Sequence, residues 1–371
     1  MLLFTPGPTP VKEEVRLEMA KPTIHHRTPE FEAIFKSARE NLKELMKMDE
    51  VIFLASSGTG AMEASILNLC HKKALVVNAG KFGERFGKIV KAFNLELVEL
   101  KYEWDSPANI EDIKRALREH SDIDAVALQI CESSGGLRHP IEEIAKVVKE
   151  HNKNIVVIAD GITAVGVEEI DIENIDALIT GSQKALMLPP GLAMIGLSSL
   201  AVEKIGEGRG FYFNLKSELK KQQQNTTAYT PATTLIIGLN KVFEEIEKFG
   251  GFERLYSTTK ARHKAMLKAL EALHLKIYPK APALAMATII DSDSEKIRKI
   301  LKSEFSVNVA GGQEHLKGKI FRVNNMGLIE DYEMLWVIDS IEKALDKLGR
   351  ANYKGVGVKV FNEVFRESND I

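Results

Sequence analysis

One stretch of the chain indicates both its fold and its chemistry: Ala177-Leu178-Ile179-Thr180-Gly181-Ser182-Gln183-Lys184-Ala185-Leu186-Met187-Leu188-Pro189-Pro190-Gly191. The apolar run at its start predicts a buried strand that ends in a loop of small residues. Lys184 follows between apolar neighbours, where desolvation disfavours the ammonium form and lowers the pKa. A neutral amine attacks an aldehyde carbonyl to form a Schiff base, whereas most loop lysines are solvated surface charges. The stretch alone leaves both interpretations open.

Short apolar runs alternate with amphipathic helical stretches around this lysine. The alternation is typical of βαβ units, so we predict an α/β fold with a mostly parallel, seven-stranded type of sheet flanked by helices. The predicted strands are Val51–Leu54, Ala74–Val77, Leu95–Leu100, Ala125–Ile130, Asn154–Ala159, Ala177–Thr180 and Ala193–Leu197. The predicted helices are Lys12–Met19, Pro29–Met46 with Thr28 as its N-cap, Thr59–Leu69, Phe82–Phe93, Ile110–Arg118 and Ile141–Glu150.

The pattern changes near residue 200, and a smaller C-terminal α+β domain is expected. Two long helices, Leu235–Lys248 and Phe252–Leu273, are predicted around a hinge at Gly250-Gly251. Strands at 276–278, 286–290 and 319–323 and helices at 295–304 and 332–348 follow. We therefore predict an N-terminal arm over 1–14, a large domain over 15–240 and a small domain over 241–371. The partly apolar tail after Ala351 packs either on the body or on a partner.

Composition indicates which binding partners and which cellular location to expect. The chain has 371 residues, 44% of them hydrophobic, and a net charge of -2, so we expect no attraction to nucleic acid or anionic membrane. Cys70 and Cys131 are far apart, which favours a reducing compartment over a disulfide framework or a zinc site. The start lacks a basic signal-type region and no apolar run is long enough to span a bilayer, so a cytoplasmic protein is expected.

Two further strand ends carry residues suited to an anion and to a cationic ring. Ser56-Ser57-Gly58-Thr59-Gly60-Ala61 opens a helix, and its small residues would let backbone amides approach a phosphate. An ordinary Gly-rich turn with a Thr cap is the alternative, and the P-loop ending is absent. Asp160 ends a predicted strand, where it could pair with a pyridinium nitrogen or merely cap the next loop.

Three other side chains complete the candidate set. Phe82 could stack on a flat ring or pack in the core, and Ser134 offers a hydroxyl after another strand. Arg322 could bind a carboxylate in bidentate fashion or lie on the surface. A phosphate-type turn, an aromatic ring, an acid and a lysine at the strand ends of one parallel sheet are what pyridoxal 5'-phosphate (PLP) requires.

These motifs resemble those of class V, fold-type I PLP-dependent aminotransferases, in the alanine–glyoxylate and serine–pyruvate branch. The resemblance covers nearly the whole chain. It rests on Thr5-Pro6-Gly7-Pro8-Thr9, Ser57-Gly58-Thr59-Gly60-Ala61-Met62-Glu63-Ala64, Glu132-Ser133-Ser134-Gly135-Gly136, Ala159-Asp160-Gly161-Ile162, Gly181-Ser182-Gln183-Lys184-Ala185-Leu186 with Pro189-Pro190-Gly191, and Gly318-Lys319-Ile320-Phe321-Arg322.

The resemblance implies a role for each matching residue. Lys184 would hold PLP and then carry the proton, Asp160 would pair with the ring nitrogen, and Arg322 would bind the substrate carboxylate. The other implied cofactor contacts are Thr59, Gly60 and Gln183 at the phosphate, Phe82 on the ring, Ser134 at the hydroxyl, and Ala61 and Ile162. The family's active site lies at a dimer interface, so a homodimer is implied in which Tyr229 and Thr230 reach the neighbouring phosphate.

Substrate identity is the least determined feature. Ala61 stands where some relatives have histidine and Gly135 where many have threonine, which predicts a roomier or less polar pocket. Gly7, His26 and Arg27 are candidate substrate contacts on the N-terminal segment that lines the pocket in relatives. Arg27 could bind a second acidic group, as in aspartate or a phosphonate donor, or could form a helix-start salt bridge with Glu30 or Glu32.

The expected function is transfer of an amino group from alanine, serine or aspartate to a 2-oxo acid such as glyoxylate or pyruvate, by a ping-pong mechanism. A cysteine desulfurase or lyase on the same fold is one alternative, but Cys131 is predicted at a strand end beside Glu132, and a nearby carboxylate disfavours thiolate. A non-catalytic PLP-fold binding module is another. A dinucleotide-binding enzyme is opposed by the missing Gly-x-Gly-x-x-Gly fingerprint.

Overall fold

A seven-stranded sheet, a five-stranded sheet, a two-stranded ribbon of Cys131–Glu132 and Leu137–Arg138, and the helices around them make up the structure, a computed structural model that describes residues 1–369. The strands of this region are β1 Leu2–Phe4, β2 Glu50–Leu54, β3 Lys73–Asn78, β4 Glu96–Lys101, β5 Ala125–Gln129, β6 Cys131–Glu132, β7 Leu137–Arg138, β8 Val156–Asp160, β9 Ala177–Gly181, β10 Ala193–Leu197, β11 Lys276–Ile277, β12 Met286–Ile290, β13 Val307–Gly311 and β14 Ile320–Asn324. Its α-helices are α1 Glu13–Met19, α2 Pro29–Met46, α3 Gly58–Leu69, α4 Lys81–Ala92, α5 Ile110–Glu119, α6 Ile141–His151, α7 Ser199–Ile205, α8 Leu215–Gln222, α9 Thr233–Phe249, α10 Gly251–Ala272, α11 Ser294–Phe305, α12 Asp331–Lys347 and α13 Val356–Asn369, and Glu314–Leu316 forms a 3-10 turn.

The larger sheet has seven strands in the order β2-β10-β9-β8-β5-β3-β4. Only β10 of these seven runs antiparallel to its neighbours. Alternate residues of each strand enter two separate cores, as Val157 and Ile158 do on opposite faces of β8. The predicted mostly parallel α/β sheet, flanked by helices, is confirmed.

Helix α2 shows how local sequence signals place a helix on this sheet. The Thr28 hydroxyl accepts a hydrogen bond from the Phe31 backbone N–H (3.4 Å), and Pro29 occupies the first helical position. Apolar residues at helical spacing, among them Phe35 and Leu42, are fully buried in the core on one face of the sheet. The predicted start and end of this helix are both confirmed.

The free edge of β2 is covered by a side chain from the polar stretch after residue 210. Gln222 donates to the Phe53 carbonyl and accepts from the Phe53 N–H, each at 2.8 Å, and so satisfies both backbone groups of Phe53 on this edge strand. Leu215 and Leu219 of the same helix, α8, face the core. A short helix with few apolar residues carries little periodic signal, so the sequence did not predict α8.

The smaller sheet has five strands in the order β1-β13-β14-β12-β11. Its first strand comes from the N-terminus, because Leu2–Phe4 pairs in parallel with Val307–Val309. The N-terminal arm therefore contains a strand that belongs to the C-terminal sheet, which short-range sequence patterns could not predict. The two domain boundaries, near residues 14 and 240, stay predictions.

The tail after Ala351 packs on the body of the same chain. Phe361 and Phe365 of α13 are buried in the core of the smaller sheet, next to Ala265 and Ala269 of α10. Helices α9 and α10 meet at Gly250 and Gly251, whose φ angles of 116° and 80° suit glycine. No helix within residues 1–369 combines the length and hydropathy needed to cross a bilayer.

Candidate active site

Five strands of the larger sheet end at the same edge, and each is followed by a predicted site residue. Because β2, β3, β5, β8 and β9 run in the same direction, their carboxyl ends meet there. The segments that follow these ends carry Thr59, Phe82, Ser134, Asp160 and Lys184. Residues separated by up to 125 positions in sequence are thereby gathered at one edge of the sheet.

Lys184 is held between the end of β9 and the N-terminal arm. Its Nζ donates to the Pro6 carbonyl (2.5 Å), and a Cβ added to Gly7 would lie 2.5 Å from the same Nζ. Burial lowers the pKa of Lys184 to about 8, with a smaller contribution in the same direction from Arg322. The sequence prediction of a poorly hydrated lysine with a lowered pKa therefore agrees with its position in the structure.

The arm also fixes the backbone that carries this lysine. The Thr9 hydroxyl donates to the Lys184 carbonyl (2.7 Å), and the Thr9 N–H donates to the Gln183 carbonyl (3.1 Å). Residues 6–9 therefore cover the lysine loop from one side, which restricts access of water to the amine. Of the predicted substrate contacts, Gly7 lies directly against Lys184.

Asp160 is the buried acid at the end of β8. Burial raises the pKa of this carboxyl to about 7, and the negative charge of Glu132 adds to the shift. Its Oδ1 accepts a hydrogen bond from the Ile162 N–H (3.0 Å). The side chain of Ile162 packs on the first turn of α3, since a Cβ on Gly58 would lie 2.4 Å from Ile162 Cδ1. An acid on this edge, close enough to Lys184 for each charge to influence the other's pKa, can hold a proton on a neighbouring base.

Phe82 and Ser134 come together through one carboxylate. The Phe82 N–H donates to Glu132 Oε2 (3.0 Å), and the Ser134 hydroxyl donates to Glu132 Oε1 (2.6 Å). The Arg85 guanidinium lies over the Phe82 ring, 4.7 Å from its centroid. The ring therefore has one face against a cation of its own helix.

The first turn of α3 has little free space beside its backbone. A Cβ on Gly60 would lie 2.2 Å from Ser56 Oγ. Thr59 Oγ1 accepts a hydrogen bond from Arg85 Nη1 (2.8 Å), so a cation stands at the predicted phosphate turn. Oε1 of Gln183 is buried and lacks a hydrogen-bond partner among the described residues. Small residues, a hydroxyl and a guanidinium at a helix N-terminus form a suitable environment for an anion.

Arg322 is buried on β14 of the smaller sheet, with 7% of its surface exposed. It donates from Nη1 to the Ser133 carbonyl (2.6 Å) and from Nη2 to the Gly311 carbonyl (2.7 Å). Burial lowers the pKa of this guanidinium to about 10. The surface alternative for Arg322 is therefore wrong, and the residue connects the smaller sheet to the loop that follows β6.

Four predicted site residues make no hydrogen bond or ring contact with this cluster among the described residues, namely Tyr229, Thr230, His26 and Arg27. Tyr229 stacks on Tyr212, with ring centroids 5.3 Å apart. His26 stacks on His25, and the Arg27 N–H donates to His25 Nδ1 (3.2 Å).

Comparison with known proteins identifies the family. The sequence pattern described as Aminotransferase class-V matches residues 8–343. The chain belongs to the class V aminotransferases. It is 51% identical to an uncharacterized aminotransferase of Helicobacter pylori, over 97% of this chain and 98% of that protein. It is 28% identical to the L-aspartate–glyoxylate aminotransferase of Paracoccus denitrificans, over 99% and 96%. A crystal structure of a subgroup IV aspartate aminotransferase from Thermus thermophilus superimposes with a TM-score of 0.87 at 32% identity, covering 94% of this chain and 99% of that one.

This class V aminotransferase is a PLP-dependent transaminase. The residues at the strand ends fit the cofactor. Lys184 has a pKa low enough to supply a neutral amine, Asp160 is a buried acid, and Gly60 sits where a side chain would fill the phosphate turn. The chemistry of this donor set therefore matches that of an aldehyde cofactor with a phosphate and a basic ring nitrogen.

Two sequence departures have a structural account in this aminotransferase. The space beside Gly135 is filled, because a Cβ there would lie 2.6 Å from the Trp104 carbonyl oxygen and 3.4 Å from Tyr278. A side chain at this position would therefore displace its neighbours, and the predicted roomier or less polar pocket stays a prediction. Ala61 is completely buried in the core under α3, so its small side chain serves packing.

Sequence reasoning gave no site role to Glu132 and did not single out Arg85 of this aminotransferase. Glu132 accepts hydrogen bonds from Phe82 and Ser134, and Arg85 contacts both Thr59 and Phe82. One signal for Arg85 was available, since it lies three residues after Phe82 on a predicted helix and therefore on the same face. The signal for Glu132 was its position at a strand end, but many ordinary loop residues also follow strand ends, so this position alone does not indicate a role.

Proposed function

We propose that the enzyme transfers the amino group of a small amino acid (alanine, serine or aspartate) to a 2-oxo acid such as glyoxylate or pyruvate, in a ping-pong mechanism. The observation that carries the proposal is the buried guanidinium of Arg322, which is close enough to Lys184 to lower the pKa of that amine. Amino acids and 2-oxo acids share an α-carboxylate, and a guanidinium is its natural bidentate partner. The names of the Paracoccus and Thermus relatives support aspartate as donor and glyoxylate as acceptor.

Lys184 and Asp160 supply the proton chemistry of this proposal. PLP, when bound, would accept the electron pair that remains on the α-carbon when its proton leaves. The Lys184 amine takes the α-proton of the donor, because its lowered pKa leaves a usable neutral fraction near neutral pH. The same amine then returns a proton to the carbon that was the cofactor's aldehyde carbon. Asp160 keeps the ring nitrogen protonated, and residues 6–9 keep water from the amine.

The turn of Thr59 and Gly60 holds the phosphate in this proposal, together with Gln183. Arg85 adds positive charge at Thr59, and Phe82 forms the wall against one face of the ring. Ser134 contacts the ring hydroxyl. Ala61 supports the turn from the core, and Ile162 packs beneath it.

We also propose a homodimer in which Tyr229 and Thr230 reach the phosphate of the neighbouring subunit. A partly exposed aromatic cluster supports it, in which Phe211 is 81% and Tyr212 44% exposed and Tyr229 is half-buried. Aromatic residues concentrated on a surface are typical of an interface. Sedimentation of the purified protein tests the proposal, and a monomer at working concentration would contradict both the dimer and the shared phosphate site.

Arg27 is proposed to select donors with a second acidic group. Its side chain is exposed and forms no ion pair with Glu30 or Glu32 among the described residues. The alternative role in a helix-start salt bridge therefore does not occupy the guanidinium, which is available to a ligand. His26 beside it has a pKa lowered chiefly by desolvation, then by His25 and Arg27. An Arg27→Ala variant should lose rate with aspartate but not with alanine or serine. Equal losses with all three donors would contradict this role.

The rival chemistry of a cysteine desulfurase is disfavoured. Cys131 is buried on β6, and burial raises the pKa of its thiol to about 12, so a nucleophilic thiolate is not supplied there. Both Cys70 and Cys131 are free and buried. Free thiols in this state support the proposal of a cytoplasmic enzyme.

Absorbance spectroscopy tests the proposed function directly. The purified protein with PLP should show a visible band that shifts to the near-ultraviolet on addition of one donor without any oxo acid. Adding glyoxylate or pyruvate should then restore the visible band. A band that never forms, in wild type and Lys184→Ala alike, would favour the non-catalytic binding module. A band that no amino acid shifts would exclude the three proposed donors.

A further inference from the structure

Glu132 is a completely buried carboxylate between two segments of the site. Its Oε2 accepts hydrogen bonds from the N–H groups of Phe82 (3.0 Å) and Gly83 (2.9 Å). Its Oε1 accepts from the N–H of Ser134 (3.1 Å) and from the Ser134 hydroxyl (2.6 Å). Burial raises the pKa of this carboxyl, and the hydrogen bonds from Ser134, Gly83 and Phe82 oppose that shift. All four partners donate and an ionised carboxylate is a pure acceptor, so the contacts favour the charged form against the effect of burial.

The carboxylate also replaces a missing helix cap. Helix α4 begins after Gly80, which has no side chain to cap the first free N–H groups. Glu132 takes that place from another segment and adds a negative charge at the helix N-terminus. A Cβ on Gly80 would lie 2.4 Å from Glu132 Cδ, so this approach depends on glycine.

The segment of Glu132 reaches the substrate side of the site as well. The carbonyl of the next residue, Ser133, holds the guanidinium of Arg322 (2.6 Å). The Ser134 hydroxyl, while donating to Glu132, accepts from the Lys81 N–H (3.2 Å). A change in the position of Glu132 would therefore move the wall made by Phe82, the Ser134 hydroxyl and the anchor of Arg322 together.

We propose that Glu132 is a positioning residue for transamination, which sets Phe82 and Ser134 against the cofactor and Arg322 against the substrate carboxylate. The inference rests on the contacts proposed above for those three residues. The charge of Glu132 also acts on the site at longer range, because it adds to the upward pKa shift of Asp160 and opposes the lowering of the Arg322 pKa by burial. Its loss should therefore change both the geometry and the proton affinity of groups around the ring.

A buried carboxylate can also serve stability alone, and the chain contains a matched example. Glu342 on α12 is 1% exposed and accepts hydrogen bonds from the N–H groups of Lys354 (3.0 Å), Val356 (3.1 Å) and Gly357 (2.9 Å). It thus caps α13 in the core of the smaller sheet, as Glu132 caps α4. Glu342→Gln is the control for the general cost of neutralising such a cap.

The experiment compares Glu132→Gln with Glu342→Gln in the PLP-loaded enzyme and after cofactor removal. Three quantities are measured: thermal stability, the dissociation constant of PLP, and the pH midpoint at which the visible band of the bound cofactor changes. We expect Glu132→Gln to weaken PLP binding by about tenfold or more. Its midpoint should move to lower pH by about half a unit or more, because a negative charge that stabilises nearby cations is lost. Glu342→Gln should change stability only.

Equal behaviour of the two variants in PLP binding and midpoint would overturn the proposal and assign Glu132 a structural role. If Glu132→Gln does not fold, Glu132→Asp keeps the charge but retracts it. That variant should weaken PLP binding and leave the midpoint near the wild-type value, and unchanged PLP binding would overturn the proposal. If the wild-type enzyme transaminates but Glu132→Gln and Glu342→Gln have the same PLP affinity and the same pH midpoint, only the inference about Glu132 is refuted. A wild-type protein without a visible band refutes the proposed function instead.

Discussion

Replacing the lysine at the centre of the site should make the cofactor-free protein more stable at neutral pH. The pKa of Lys184 is about 8 in the folded chain against an ordinary value of 10.5. Folding therefore disfavours its protonated form, and the penalty is fully present below about pH 8. The difference corresponds to about 3 kcal/mol, since each pKa unit is worth about 1.4 kcal/mol.

Lys184→Met removes this penalty and keeps an unbranched side chain of similar length. It also removes the hydrogen bond from Nζ to the Pro6 carbonyl, worth about 1 kcal/mol. The variant should therefore be more stable than wild type by about 2 kcal/mol near pH 7. Between about pH 8 and 10.5 the unfolded wild type binds the extra proton, so wild-type stability rises relative to the variant. Above that range the variant should be the less stable protein by about 1 kcal/mol.

Equilibrium denaturant unfolding of both proteins, freed of cofactor, at several pH values between about 7 and 10.5 measures this difference. Lys36→Met, at a helix position where the lysine side chain is 59% exposed, is the control for removing any lysine. A difference between wild type and Lys184→Met that stays constant across this pH range would refute the reasoning. It would mean that Lys184 is solvated in the folded chain as in the unfolded one.

Three further substitutions test the other parts of the site. Asp160→Asn should lower turnover with every donor by on the order of 100-fold, because an amide cannot keep the ring nitrogen charged, and single-turnover spectra measure it. Arg322→Gln should raise the KM of amino acids and oxo acids alike by roughly 10- to 100-fold, while the dissociation constant of PLP stays unchanged. Gly7→Ala should slow formation of the visible band, because its Cβ would meet Lys184 Nζ at 2.5 Å and its φ of 99° is strained for alanine. A normal rate of band formation would contradict this expectation and show that the arm moves aside at little cost.

The large sheet was predictable because its buried parallel strands are nearly continuous apolar runs. The observed β9, Ala177–Gly181, extends the predicted strand by one residue, and β10 matches its prediction at both ends. The acid and the lysine at strand ends followed from the same pattern, since a polar residue that interrupts an apolar run marks the edge where ligands bind.

Elements set by distant partners were not predictable in this way. Strand β1 has three residues and pairs with β13, about 300 positions away in the sequence, so its local pattern specifies no sheet. Strand β13, Val307–Gly311, mixes apolar and polar residues and was likewise missed. Both belong to the smaller sheet, whose pairing depends on which segments the rest of the chain brings together.

The same distinction separates the two acids of the site. Asp160 was predictable because its relation to Lys184 follows from two neighbouring strands of one sheet, β8 and β9. Glu132 was not, because its partners are backbone N–H groups at the start of α4, and every helix start of any sequence offers such groups. What distinguishes this helix start is an absence, the missing side chain of Gly80, which leaves room for a carboxylate from another segment. A residue that acts on backbone groups therefore becomes visible only once the strand ends have been assembled, whereas a residue that acts on a cofactor can be inferred from its chemistry alone.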